Sequence, residues 1–378
     1  MSNQASDPEA EDSAQPLDSA VTPELFRQWR SPRLGTTNPE RMDNPVWEWL
    51  VRCRISAFQA SERFDGPDAF EAGPGWCFDR FGQSSTQLAD GRLVLIGGEH
   101  EDYYDPDFYI YNDVVVQHPD GRTAIFGYPR EAFPPTDHHS ATLVGNRIVI
   151  LGNLGYPADR KPGTTQVRVL DLESWSIASV RTEGSPPGWI SKHLAALPED
   201  ERSILVQRGE VDCGREDRSL IENIDDWRLH LAGWRWERLT DRRWPRWEVR
   251  RKDGKLNHLW RIRSAAWLRG RVCFEKEFRE AMEQLTEELG TPPDLDLYER
   301  RYDSGIAAER LPPLEDEHGV HRVRINGVVV RYVESLHSIQ MTVEGNLPLQ
   351  MIKALVRDLA DKLSALENAA CEWHELRS

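Results

Sequence analysis

Apolar positions in the middle of the chain repeat one plan: a short alternating strand, a tight polar turn, an unbroken aliphatic strand and a closing glycine. The first copy, residues 88–97, reads Leu-Ala-Asp-Gly-Arg-Leu-Val-Leu-Ile-Gly. Residues 143–152 answer it as Leu-Val-Gly-Asn-Arg-Ile-Val-Ile-Leu-Gly, 55 residues on, with every apolar position matched. A looser third copy, residues 197–209, has a longer turn before Ser-Ile-Leu-Val-Gln-Arg-Gly. Units of this kind recurring about every 50 residues predict a propeller of four-stranded blades. In the first unit the expected strands are 83–88, 93–97, 108–117 and 123–128, with Asp90-Gly91 and Asp120-Gly121 as hairpin turns. The second unit runs from His139 to Val180, and the third from His193 to about Leu239.

These residues resemble the kelch-repeat β-propeller family, in particular kelch-like proteins of bacteria, over residues 80–245. The resemblance rests on a short strand containing Ser84, His139 or His193, the tight turn, the aliphatic strand and the doublet Gly97-Gly98. The later doublets depart from the pattern, as Gly152-Asn153 and Arg208-Gly209. The tyrosine and tryptophan of a kelch unit never occur as the usual pair: Tyr109 and Tyr111 stand in unit one, Trp175 in unit two, and Trp227, Trp234 and Trp236 in unit three. The resemblance implies an architecture and leaves the activity open.

Outside the repeats the pattern changes. Residues 1–26 hold acids without Lys or Arg and read as a disordered acidic tail. A helical N-terminal segment and lead-in is expected over 27–79, starting at Asn44-Pro45, where Asn caps and Pro fits the first turn. Three units are too few for a closed ring, so extra strands are expected from 68–80 and from a hairpin over 247–263 around Asp253-Gly254. This places the kelch-like propeller at 80–275. Residues 276–378 read as an α+β appendage: a helix containing Phe278, Met282, Leu285 and Leu289, two strands, and a long helix over 348–376. Its stripe Ile352, Val356, Leu359, Leu363, Leu366, Ala370, Trp373 suits either packing on the preceding strands or a homodimer seam. The fold class expected is therefore mainly β, a kelch-like β-propeller with an N-terminal helix and a C-terminal α+β appendage.

At 378 residues, about two domains are expected. The net charge of −16 opposes wholesale binding to nucleic acid or anionic membranes. Five unpatterned cysteines, no signal peptide and no spanning apolar run favour the cytoplasm.

Antiparallel parity gathers the loops after the second and fourth strands of every unit on one rim. The binding candidates there are Glu99, Glu101, Tyr103, Tyr104, Asp105, Asp107, His138, Tyr156 and Trp189. The carboxylates with His100, His138 and His139 could hold a divalent cation, but their spacing matches no known loop for one and capped turns explain them better, so no cofactor is assigned. His139 and His193 repeat and so read as structural, leaving His138 as the better general base; no catalytic residue is assigned. Residues 228–263 carry twelve Lys or Arg against four acids among tryptophans. Single-stranded nucleic acid needs that mixture, but alternation turns the rings inward, which argues against nucleic acid as a partner. The expected role is a protein-binding or scaffolding module. A metal-assisted hydrolase or isomerase at the same rim, and nucleic-acid binding through 228–263, are the alternatives.

Overall fold

The structure, a computed structural model, describes residues 21–67, 69–100, 108–215, 220–306, 308–312 and 319–376. It is mainly β, built of several antiparallel sheets, and divides into two compact units. Unit 1 runs to Gly214 and takes in Asp226–Arg238; unit 2 comprises Arg215–Asp225 and the chain from Leu239.

Unit 1 opens with helices α1 (Pro23–Trp29), α2 (Pro45–Cys53), α3 (Ala57–Arg63) and α4 (Ala69–Ala72). Helix α2 begins where its capping signal places it: Asn44 Oδ1 accepts the amides of Val46 and Trp47, and Arg54, at φ 53°, ends it. The tail expected to be disordered through residue 26 is helical from Pro23. Thr22 caps α1, and Phe26 is buried and stacked on Phe64 with ring centroids 5.0 Å apart. Residues 1–20 lie outside the described residues.

Three four-stranded meanders follow. The first consists of β2 (Ser84–Gln87), β3 (Leu93–Ile96), β6 (Val114–Gln117) and β7 (Thr123–Gly127), with β1 (Glu40–Arg41) added beside β7. The single strand expected over 108–117 is interrupted: β4 (Glu99–His100) and β5 (Tyr109–Ile110) form their own ribbon before β6. The second meander is β8 (Ser140–Val144), β9 (Arg147–Leu151), β10 (Val167–Asp171) and β11 (Ile177–Ser179). The third is β13 (Leu194–Ala196), β14 (Ser203–Gln207), β17 (Trp227–His230) and β18 (Arg235–Arg238), and β12 (Trp189–Ser191) pairs with β15 (Glu210–Asp212).

Unbroken aliphatic runs occur because the central strands are buried on both faces. In the first sheet Leu95, Val115 and Ile125 pair across one row and meet Val46, Trp47 and Leu50 of α2. The other face, with Val94, Ile96 and Val116, packs on Ile148, Ile150 and Leu170 of the second sheet. The second sheet's far face, with Val149 and Leu151, packs on Ile204, Val206 and Leu229 of the third. Helices and three sheets thus stack face to face in chain order.

Unit 2 carries β16 (Leu220–Glu222), β19 (Arg246–Arg251), α5 (Leu259–Leu268), α6 (Glu275–Leu289), α7 (Leu295–Glu299), β20 (Ala308–Leu311), β21 (Val320–Ile325), β22 (Val328–Glu334), β23 (Ser338–Glu344), α8 (Leu349–Glu367) and β24 (Cys371–Glu375). Its six-stranded sheet has the order β20-β21-β22-β23-β19-β24. Val249, Val330, Ile339, Met341 and Val343 meet the helices in one core. Polar residues on the same strands, Glu248, Ser338 and Thr342, are also buried: Ser338 donates to Glu248 at 2.9 Å, and Thr342 to Glu222 at 2.8 Å.

Two expectations fail here. The hairpin over 247–263 does not form, because β19 pairs with β23 and β24 instead. After Asp253-Gly254 the buried positions Leu259, Ile262 and Ala265 follow helical spacing, and Glu367 caps the amide of His258 at 2.8 Å. The last helix stops at Glu367, with Asn368 at φ 44° as a left-handed cap. Trp373 belongs to β24 and packs edge-on against Trp247. The stripe from Ile352 to Leu366 is buried against its own sheet.

Candidate functional site

Strand register fixes which residues are equivalent between repeats. Ser84 pairs with Ile96, Ser140 with Leu151 and Leu194 with Gln207, so Ser84 corresponds to Ser140, and Gln83 corresponds to His139 and His193. Ser84 therefore does not take the histidine place, as sequence comparison suggests; the first hairpin is one residue longer and shifts the match. Instead the two residue types bond across repeats. His139 Nε2 lies 2.7 Å from Ser84 Oγ, and His193 Nε2 lies 2.9 Å from Ser140 Oγ. Burial pushes His139 down to about 3 and His193 to about 4, so both are neutral pins between neighbouring first strands.

One position earlier stand Gly82, His138 and Lys192, and all three are left-handed, with φ of 61°, 48° and 54°. Their backbones are linked in series: His138 N–H donates to Gly82 O and Lys192 N–H to His138 O, each at 2.8 Å. Gly82 admits no side chain, because a Cβ would lie 2.6 Å from His138 N and 2.8 Å from its ring. A left-handed histidine or lysine costs about 1–3 kcal/mol and persists only where its surroundings hold it.

The strained residue His138 borders a cluster. Glu99 enters on β4, directly after Gly97-Gly98, and bridges to Phe81. His138 Nε2 is 3.4 Å from Glu99 Oε1. Asp137 precedes His138 and is fully buried; its amide donates to Asn153 Oδ1 at 2.9 Å, and its Oδ1 accepts Gly155 N–H at 2.6 Å. Asp137 Oδ2 is buried and has no hydrogen-bond partner among the described residues. Burial raises the Asp137 carboxyl above its ordinary value, opposed by the Gly155 amide. One donor atom from each of Glu99, Asp137 and His138 lies within 4.8 Å of the others. The Glu99 and His138 side chains are 22 and 23% exposed, so one side of the cluster opens to solvent.

Neighbouring cations are already engaged. Arg160 donates to the carbonyls of Leu154 and Gly155 and lies 3.5 Å from Asp212, while Lys192 lies 3.0 Å from Glu210. The cluster can therefore accept a positively charged group at Asp137 Oδ2.

Of the sequence candidates, the structure brings Glu99 and His138 together and adds Asp137, which nothing in its sequence context singles out. Tyr156 is half-buried, and its hydroxyl accepts Ile110 N–H at 3.0 Å. Trp189 was expected as an exposed anchor but is buried, with Nε1 donating to Leu154 O at 3.0 Å. Glu101, Tyr103, Tyr104, Asp105 and Asp107 lie outside the described residues. The basic stretch 228–263 is divided between the two units, and its Trp236 and Trp247 are buried. Trp260, on α5, is 59% exposed. Among the described residues no helix is long and apolar enough to cross a membrane.

No protein-family model matches the chain. No curated protein matches its sequence. Among solved structures the chain is similar to one titled "Structure of YjhT", at 12% identity over 45% of this chain and 72% of that one. The TM-score is 0.27, too slight a likeness to bear on fold or function.

Proposed function

We propose that unit 1 is a kelch-like propeller acting as a binding module, and that its ligand is a small polar molecule held where Glu99, Asp137 and His138 meet. Three meanders stacked face to face, with first strands pinned by Ser84–His139 and Ser140–His193, support the propeller reading. The observation that carries the ligand reading is Asp137: a buried carboxyl with one oxygen unpartnered among the described residues, beside a histidine in a strained conformation 3.4 Å from Glu99. Strained residues and unsatisfied buried groups gather at functional sites because nothing else repays their cost. A broad protein-binding face is less well supported, since Trp189 is buried and Tyr156 is tied to the backbone. If the ligand is chemically altered, the His138–Glu99 pair is the acid–base couple at hand, which is the hydrolase or isomerase alternative.

The test is capture of small molecules from a polar extract of the native host, read by mass spectrometry after gel filtration. Wild type is expected to retain a polar compound, and Asp137→Asn, which removes the charge of the buried carboxylate that carries the reading, to retain at least about tenfold less. No retained compound, or equal retention by the variant, would overturn the reading.

A further inference from the structure

We infer that Glu99, Asp137 and His138 form a mononuclear site for a divalent first-row transition cation. The inference rests on the reading of this face as a ligand site and names the ion that completes it. Hydrogen bonding alone accounts for only part of the cluster. Gly155 N–H occupies Asp137 Oδ1, and His138 meets Glu99 at a long 3.4 Å, while among the described residues nothing donates to the buried Asp137 Oδ2. Arg160 acts on Asp137 only at a distance and Lys192 pairs with Glu210, so neither donates to Oδ2. A cation would satisfy Oδ2 and bring Glu99 and His138 into one coordination sphere.

Donor chemistry selects the class of ion. Two carboxylates and an imidazole suit Mn²⁺, Fe²⁺, Co²⁺ or Zn²⁺, whereas Ca²⁺ and Mg²⁺ take oxygen donors only. Donors bound at about 2.0–2.2 Å around a tetrahedral ion stand about 3.3–3.6 Å apart, a spacing His138 and Glu99 already have at 3.4 Å, so the present spread of up to 4.8 Å closes with about 1 Å of side-chain movement. Glu99 and His138 are partly exposed and free to make it. Three protein donors leave coordination positions on the solvent side for water or for the polar ligand.

Chelator-stripped protein would be dialysed against Mn²⁺, Co²⁺ and Zn²⁺ in turn. Metal per chain would be read by elemental analysis, Co²⁺ geometry by its visible absorption, and stability by thermal melting. Wild type is expected to hold about one equivalent of at least one ion and to melt higher with it. His138→Gly deletes the imidazole while placing glycine at a left-handed position, as Gly82 does one repeat earlier, so it adds no backbone strain. It and Asp137→Asn are expected to bind at least about tenfold more weakly. His230→Ala, which breaks an exposed His–Glu pair on β17, is expected to bind like wild type. A wild type that holds no cation, or a His138→Gly variant that binds equally well, overturns the inference. Asp137-dependent retention of a small molecule without any cation would refute the metal and leave the ligand site standing. One bound cation with no retained compound would support the metal and refute the small-ligand reading.

Discussion

His193 makes the third sheet sensitive to acid. It is buried, bonded to Ser140, and pushed down to about 4 by desolvation, whereas in the unfolded chain it titrates near 6.5. Between those values the unfolded state binds more protons than the folded one. Stability is therefore full above about pH 6.5 and is lost as the pH falls towards 4. His193→Gln, which installs the residue found at the equivalent Gln83, is expected to flatten that part of the pH dependence in urea titrations from pH 7.5 to 4.5. An unchanged slope would show that His193 is already charged in the fold. Glycine sets a second contrast. Gly97 and Gly145 are both left-handed, at φ 57° and 56°, but a Cβ on Gly97 would lie 2.1 Å from Thr136 O, while nothing lies within 4 Å of one on Gly145. Gly145→Ala should cost about 1–2 kcal/mol from conformation alone, and Gly97→Ala at least about 1 kcal/mol more, measured by chemical unfolding. The closing glycines were visible in the sequence because glycine marks positive φ. His138 and Lys192 were not, because a non-glycine residue there gives no sign of its conformation.

Among the elements, strands with strict apolar runs were legible and segments with two compatible periods were not. β3, β9 and β14 lie where the repeat puts them, since burial on both faces demands continuous aliphatic residues. Residues 255–263 fit alternation on paper, but Leu259, Ile262 and Ala265 reach a core only as a helix. At the C-terminus the apolar spacing runs on through Trp373, and only the left-handed Asn368 reveals that the helix has ended. Helix α8 draws its stability from its own sheet. Leu359→Ala, deleting a side chain only 2% exposed, should cost about 2–5 kcal/mol. Leu349→Ala, at an exposed position in the first turn, should stay within about 0.5 kcal/mol in the same denaturation assay.

At the scale of the molecule, repetition explains both the scaffold and the site. Three copies of one plan place three left-handed residues in register, and sequence divergence at that register makes them Gly82, His138 and Lys192. Glu99, held by the glycine doublet of the first copy, reaches the second copy's Asp137 and His138 only because their strands lie side by side. Glu99 and His138 were readable as a loop glutamate and a histidine unique to its unit. Asp137 was not, since its importance lies in burial and in an unpartnered oxygen, which require three dimensions. The most direct test is anomalous diffraction from crystals of the chelator-stripped protein soaked with Zn²⁺ or Mn²⁺, recorded on both sides of the metal absorption edge. The expected result is one strong peak within about 2.0–2.3 Å of a carboxylate oxygen of Glu99, an oxygen of Asp137 and a ring nitrogen of His138. No peak there, or peaks confined to surface histidines such as His230 and His374, would contradict the account.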